Sequence, residues 1–266
     1  MMLKTAIKAA KEAGKLLMKN MPKVSGTAYG SNLVLKTKQD VDSELLIVKI
    51  LKSKFPSHDF LGEEIERNQA DSQYKWIIDP IDGTNNYLDG RDTFSVSIGL
   101  EYKKNIILGV VYLPKRKELF VAEKGKGVSL NGKRIKVGNQ KDLSKAQITF
   151  STFAGREKET EYLNKKLLGK IPNIKYFGFK SKDDLPDPVF GRGSMAAEFC
   201  YLACGRIDGV IRLKQAPWDV AAGSLIAEEA GAKMYNLKGK KCSVYEGDYV
   251  AANPELIKKI MEVIKK

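Results

Sequence analysis

Asp79 and Asp82 lie three residues apart in the stretch Trp76-Ile77-Ile78-Asp79-Pro80-Ile81-Asp82-Gly83-Thr84, directly after an apolar run. Pro80 and Gly83 turn the chain tightly, so both carboxylates can be aimed at one point. Carboxylates aimed together repel unless one holds a proton or a cation sits between them. All-oxygen donors, with no histidine or thiol close by in the sequence, suit a hard ion such as Mg²⁺. The N–H groups of Gly83 and Thr84 and the Thr84 hydroxyl supply what a phosphate needs. A metal beside a phosphate cradle is the chemistry of phosphoryl transfer. The competing reading is a turn capped by two aspartates, and this stretch alone does not choose between the two.

Two more segments place acids at element ends, where active-site rims are built. Gly62-Glu63-Glu64 follows the short apolar pair Phe60-Leu61, and Asp219 follows Trp218 where a helix opens that stops at Gly231. Taken singly, Glu63 reads as an exposed acid and Asp219 as a helix N-cap.

The elements that must position these acids follow from periodicity. Apolar residues at helical spacing predict a helix from Leu3 to about Met21, ended by the Pro22 to Gly30 stretch. Asp40 stands before a second such run, through Glu44, that reaches Lys54. Tyr74 to Ile78 reads as a buried strand stopped by Asp79-Pro80. Phe94 to Leu100, Ile106 to Tyr112, Leu119 to Ala122 and, after the Asn131-Gly132 turn, Arg134 to Val137 read as an antiparallel meander. After about Leu143 strands and helices alternate: strands at 148–152, 174–177, 207–211 and 233–235, helices at 157–168, 194–203, 219–230 and 254–264. Ser181 to Pro188 reads as an exposed loop.

Composition removes several classes. No run approaches the roughly 18 apolar residues a membrane span needs, and the lysine-interrupted start is an amphipathic helix rather than a signal peptide. Three cysteines, Cys200, Cys204 and Cys242, are an odd number in a chain of 266 residues, and a core of that size needs no disulfides, which favours a reduced, cytoplasmic setting. One histidine, His58, disfavours a Ser-His-Asp hydrolase and a zinc site, and packing is its expected role. Cys200 and Cys204 share a helical face and are expected to pack in the core. The 46 Lys and Arg against 32 Asp and Glu leave a formal charge of +14, which favours an anionic partner without choosing among nucleic acid, membrane and phosphorylated metabolite.

Together the Trp76 to Asn85 segment, Gly62-Glu63-Glu64 before it and Trp218-Asp219-Val220-Ala221-Ala222-Gly223 far downstream resemble the signature pair of the inositol monophosphatase family. Thr37, Asp40 and Glu44, the approach from Pro56 to Glu63, and Val250 to Asn253 extend the resemblance over nearly the whole chain. It implies an α+β fold, a layered αβαβα sandwich of the inositol monophosphatase/fructose bisphosphatase type. Residues 1–143 would form an α+β lobe with an antiparallel sheet and most metal ligands, and 144–266 an α/β lobe supplying Asp219 and substrate contacts. It further implies a Mg²⁺-dependent, lithium-sensitive phosphomonoesterase and a homodimer. Glu63, Asp79 and the Ile81 carbonyl would hold one Mg²⁺; Asp79, Asp82 and Asp219 would hold a second. Two such ions can stabilise both attacking and leaving oxygens. Thr84, supported by Asp40, and Glu63 would orient the attacking water and take its proton. Gly83 and Thr84 would bind the phosphate.

Substrate choice is less fixed. Gly191-Arg192-Gly193 lacks the remainder of a phosphate loop, and the helix start at Gly193 and Ser194 is the better candidate for a substrate contact. Inositol-specific family members carry an acid seven positions before the Trp-Asp aspartate. Here that position is Arg212, which is similar to archaeal members that also hydrolyse fructose 1,6-bisphosphate and whose cation can meet a second phosphate. Glu198 also resembles the archaeal pattern, whereas Ala216 stands where those members tend to carry a further arginine. The expected activity is therefore inositol 1-phosphate hydrolysis with or without fructose 1,6-bisphosphatase activity. A chiefly fructose 1,6-bisphosphatase role and a 3′-phosphonucleotide phosphatase are alternatives. Nucleic-acid binding, a reading of another class, rests on the +14 charge alone; lysines occur in nearly every segment, and a single basic stripe with aromatics would be its mark.

Overall fold

In the computed structural model, residues 1–22, 37–64, 71–151, 156–167, 170–177 and 193–265 are described. The Ser181 to Pro188 stretch and Gly191-Arg192 lie outside them. Five layers stack as helices, sheet, helices, sheet, helices. The outer layer is α1 (Met2–Lys19) and α2 (Lys38–Lys52). Beneath it lies a sheet ordered β1 (Asp59–Gly62), β2 (Tyr74–Asp82), β3 (Ser95–Tyr102), β4 (Asn105–Leu113), β5 (Glu118–Glu123), β6 (Gly127–Leu130) and β7 (Lys133–Arg134), with the short α3 (Thr84–Leu88) after β2. Only the β1 and β2 pair is parallel; the rest is the expected meander.

The second sheet takes β8 (Ile148–Ser151), β9 (Ile174–Phe177), β10 (Gly209–Arg212), β11 (Lys233–Tyr235) and β12 (Tyr249–Ala252) in the order β11-β12-β10-β8-β9. Between the sheets run α5 (Met195–Ala203) and α6 (Pro217–Glu229); α4 (Glu157–Leu167) and α7 (Pro254–Lys265) cover the far face. This is the αβαβα sandwich expected from the resemblance. The central core joins Ile77, Val111 and Phe120 of the first sheet to α5 and α6, and so draws on residues from both sides of position 143.

Strand alternation explains the layering. Trp76 and Ile78 of β2 and Val96 and Ile98 of β3 point toward α1 and α2, whereas Ile77 faces α5 and α6. By the same alternation Asp79 falls on the α5 and α6 side. Glycines on that face let α6 lie close: a Cβ at Gly109 would stand 2.6 Å from the Ala222 carbonyl oxygen. Since backbone cannot swing away, Gly109→Ala is expected to destabilise by about 1–3 kcal/mol. A shift in the urea midpoint measures this, and an unchanged midpoint would mean that α6 can retreat.

Several boundaries differ from expectation. The second helix begins earlier than Asp40 indicates, because Thr37 is its N-cap and Asp40 sits in its first turn, each bonding the other's backbone N–H. The strand at Tyr74 does not stop at Ile78 but runs to Asp82. After Arg134 the chain leaves the sheet, Val137 N–H donating to the Ala230 carbonyl at 3.0 Å, so β7 keeps only two residues. His58 is a packing residue, its ring stacked against Phe55 at 5.0 Å and Tyr74 at 4.7 Å. Cys200 is buried and Cys204 half-buried in the central core, both as free thiols.

Candidate active site

The end of β2 carries the first acids. Asp79 pairs with Ser97 and Asp82 with Ser95, so the register shifts between them, and Pro80 occupies the irregularity, where a missing N–H breaks no ladder bond. Ile81 N–H donates to Asp79 Oδ1 at 3.0 Å and orients that carboxyl. Gly83 follows with φ +88°, and a Cβ there would come 3.1 Å from Ser194 Cβ, so glycine serves both the left-handed turn and the approach of α5. The Thr84 hydroxyl lies 3.1 Å from the Ile81 carbonyl and 3.3 Å from Asp40 Oδ1, one proton between two acceptors.

Other elements bring their residues to the same place. Asp40 is buried and fixed by Thr37, whose N–H donates to Asp40 Oδ2 at 2.8 Å. Glu44, also buried, accepts from Glu64 N–H at 2.9 Å and so ties α2 to the chain leaving β1, where Glu63 stands. Asp219 lies in the first turn of α6, with Oδ2 accepting from Ala216 N–H at 2.7 Å. Asp219 is therefore not the N-cap, which is Ala216, but the third residue of the helix reaching back to that cap's N–H, and it also approaches the β2 acids: Asp79, Asp82 and Asp219 each offer an oxygen, all within 4.8 Å of one another.

Asp82 has a second set of partners. Its carboxylate accepts from Ser194 Oγ at 2.6 Å, Ala196 N–H at 2.8 Å, Met195 N–H at 3.0 Å and Ser95 Oγ at 3.2 Å. The opening turn of α5 is thus anchored on a carboxylate, as its dipole favours.

Electrostatically these acids burden one another. Burial, then Asp219, Glu64, Asp40 and Asp82, push the Glu63 carboxyl up to about 8. Burial and Asp82 push Asp219 up to about 7. Burial and then Glu63, Asp82 and Asp219 hold Asp79 well above the usual carboxylate range. Asp82 is also raised by burial, partly offset by its hydrogen bonds from Ser194 and the start of α5.

Of the expected substrate contacts, Ser194 is beside the acids, but its hydroxyl is engaged by Asp82 and it accepts from Ala197 N–H in capping α5. Gly193 precedes it with φ +72°, and a Cβ there would meet nothing within 4 Å among the described residues. Arg212 is only 2% exposed, in direct contact with Glu198, and donates to the Ile211 carbonyl at 2.8 Å. Thr149 Oγ1 donates to the same Glu198 carboxylate at 2.7 Å. Arg212 and Glu198 thus form one buried pair. Ser95 and Thr149 escaped the sequence reading. The signal for Ser95 was the alternation Phe94-Ser95-Val96-Ser97-Ile98, which puts hydroxyls on one face of an otherwise apolar strand.

A divalent cation fits this donor set. The groups acting most strongly on Glu63 and Asp79 after burial are other acids, and the ligand atoms are all hard oxygens. Millimolar Mg²⁺ is accordingly expected to raise Tm. At a hundredfold excess over Kd the gain is about 2.7 kcal/mol, or several °C at roughly 2–4 °C per kcal/mol. Scanning calorimetry with and without EDTA checks this, and K⁺ at matched ionic strength should not reproduce the shift.

The family model described as "Inositol monophosphatase family" matches residues 1–266. Nus factor SuhB of Vibrio cholerae is 36% identical over 270 residues, covering 99% of this chain and 96% of that protein. The crystal structure of extragenic suppressor protein suhB from Bartonella henselae superposes with a TM-score of 0.85 at 28% identity, covering 100% of this chain and 98% of that one. An inositol monophosphatase from Anabaena (Nostoc) gives a TM-score of 0.82 at 29% identity over 99% of this chain and 94% of that one. With the match running from end to end and three aspartates converging on one point, the chain belongs to the inositol monophosphatase family of metal-dependent phosphatases.

Proposed function

We propose that this protein is a Mg²⁺-dependent phosphomonoesterase that hydrolyses inositol 1-phosphate or a closely similar cyclitol or sugar monophosphate with water as nucleophile. The observation that carries the reading is the convergence of Asp79, Asp82 and Asp219, with Glu63 electrostatically joined to them. Glu63, Asp79 and the Ile81 carbonyl would hold one ion and Asp79, Asp82 and Asp219 another. Bound divalent ions supply Lewis acidity that offsets charge on the phosphoryl group and acidifies water.

The chain's own groups do the remainder. Thr84 Oγ1 donates toward Asp40 Oδ1 or the Ile81 carbonyl, which leaves its lone pairs to accept from the attacking water. Asp40 is held for this by Thr37 rather than by solvent. Glu63, half-buried just beyond β1 and raised by burial and the acids around it, would be ionised only with a cation offsetting those acids, and in that form would take the water's proton. Gly83 and Thr84 N–H groups bind phosphoryl oxygens. Because Arg212 is engaged with Glu198 and the Ile211 carbonyl, no observation favours a second phosphate at that residue.

The test is phosphate release from a panel of inositol 1-phosphate, fructose 1,6-bisphosphate, glucose 6-phosphate and a 3′-phosphonucleotide, with and without Mg²⁺. Metal-dependent turnover led by inositol 1-phosphate is expected. Metal-independent turnover would remove the acidic cluster from the reaction, and preference for the nucleotide or the bisphosphate would replace the substrate assignment.

A further inference from the structure

The +14 charge is not evenly spread. On α1, Lys4, Lys8, Lys11, Lys15 and Lys19 recur every three or four residues, so all fall on one face, and all are exposed. Rising 1.5 Å per residue, the row spans about 22 Å. Lys38, Lys49, Lys52 and Lys54 are exposed on and just beyond the neighbouring α2. Met1, Lys4, Thr5 and Lys8 line one groove with Ile50, Ser53 and Lys54, so the two helices run antiparallel and their lysines share a surface.

Few acids interrupt it. Lys15 pairs with Glu12 and Lys38 with Asp42, whereas the other lysines of the layer make no ion pair among the described residues. The remaining acids of α2, Asp40 and Glu44, are buried on the opposite side, toward the candidate active site. The layer is therefore acidic inward and basic outward.

We infer that the outer face of α1 and α2 is a docking surface for the phosphodiester backbone of a nucleic-acid duplex, separate from the phosphatase site. Charge complementarity and dimensions carry this. A duplex offers roughly one phosphate per 1.7 Å of axis, so a straight row of lysines meets many phosphates at once. Neither helix contains an aromatic residue, so the face has no platform on which unpaired bases could stack. A bilayer is the poorer partner, because the apolar face of α1 is buried in the core through Ala6, Ala9, Ala13 and Leu17, leaving the separated Met1, Met18 and Leu45 as the large apolar residues exposed on this layer. Readout through phosphates alone is sequence-independent.

The experiment measures fluorescence anisotropy with labelled 20-base-pair DNA and RNA duplexes, the corresponding single strands, and vesicles of equal phosphatidylglycerol and phosphatidylcholine, from 30 to 200 mM salt. Three proteins are compared: the parent, a face variant with Lys4→Gln, Lys8→Gln, Lys11→Gln and Lys19→Gln, and a control with Lys133→Gln, Lys136→Gln, Lys238→Gln and Lys240→Gln, which loses the same charge elsewhere. The parent should bind duplex with affinity falling steeply with salt. The face variant should bind at least tenfold more weakly, with its log–log salt slope reduced by about 3 to 4 units, whereas the control should stay within about threefold of the parent. The DNA and RNA arms identify which duplex is preferred. The proposal is overturned by equal losses in both variants, by tighter binding of single strands, by lysine-dependent binding of vesicles in place of duplexes, or by no duplex binding at 30 mM salt. All substitutions are at exposed positions, and circular dichroism verifies that the variants are folded.

Discussion

Asp79→Asn is expected to lose at least about a thousandfold in metal-dependent phosphomonoester turnover and yet, without metal, to melt higher than the parent. Both effects have one cause. Asp79 is 2% exposed and faces Glu63, Asp82, Asp219 and Asp40, so its charge is unfavourable unless a cation compensates it. The amide nearly preserves shape and can still accept the Ile81 N–H bond through its oxygen. In metal-free protein the substitution therefore removes repulsion at little packing cost, and Tm should rise by roughly 2 °C or more. With Mg²⁺ present the order reverses, since the variant lacks the carboxylate that the proposed function assigns to both ions. Crossing melting curves with and without Mg²⁺, beside the turnover, make the test. A variant that melts lower than the parent without metal would show that the Asp79 carboxylate is held for structural reasons instead.

This coupling of stability and chemistry explains which parts of the site were legible in the chain. Asp79 and Asp82 could be read because a proline and a glycine around two aspartates leave few conformations, and Glu63 and Asp219 because both end or begin an element. What spacing cannot show is which long-range neighbour satisfies a group. Asp82 accepts from Ser194, Met195 and Ala196, more than a hundred residues away, so one of the expected substrate contacts is itself a partner of an expected metal ligand. Asp40 looked like a helix cap and proved to be the partner of one, since Thr37 three residues earlier accepts the Asp40 N–H while Asp40 accepts that of Thr37. Two periodicities, alternating strands and amphipathic helices, mark the elements, whereas the five-layer order was implied by the family resemblance alone, and the glycines that bring α6 onto the first sheet gave no sign of their purpose. The lysines looked scattered because composition ignores phase; on α1 they share one face.

Arg212 and Glu198 bear most directly on specificity. In the chain they are two separate hints of a bisphosphate substrate; in the fold they touch, 2% and 1% exposed, with Thr149 donating to the same carboxylate. Burial pushes the guanidinium down to about 9, against the opposing pull of Asp82, so the charged form is costly and depends on its acidic company. Arg212→Met alone is then expected to destabilise by about 3–5 kcal/mol, because it leaves Glu198 buried without its cation, and Glu198→Leu alone should be comparably harmful. Arg212→Met with Glu198→Leu should recover most of the loss, giving a coupling of several kcal/mol in a double-mutant cycle. Activity distinguishes this from a substrate clamp. A residue gripping a second phosphate would lose fructose 1,6-bisphosphate turnover selectively and would not be rescued by changing Glu198. A pair that joins β10 to α5, and through α5 to Asp82, should instead depress turnover of all phosphate esters together in the single variants and return it together in the double. Selective and unrescued loss would restore Arg212 to the substrate; parallel loss and rescue makes the pair a positioning device for the helix that holds Asp82.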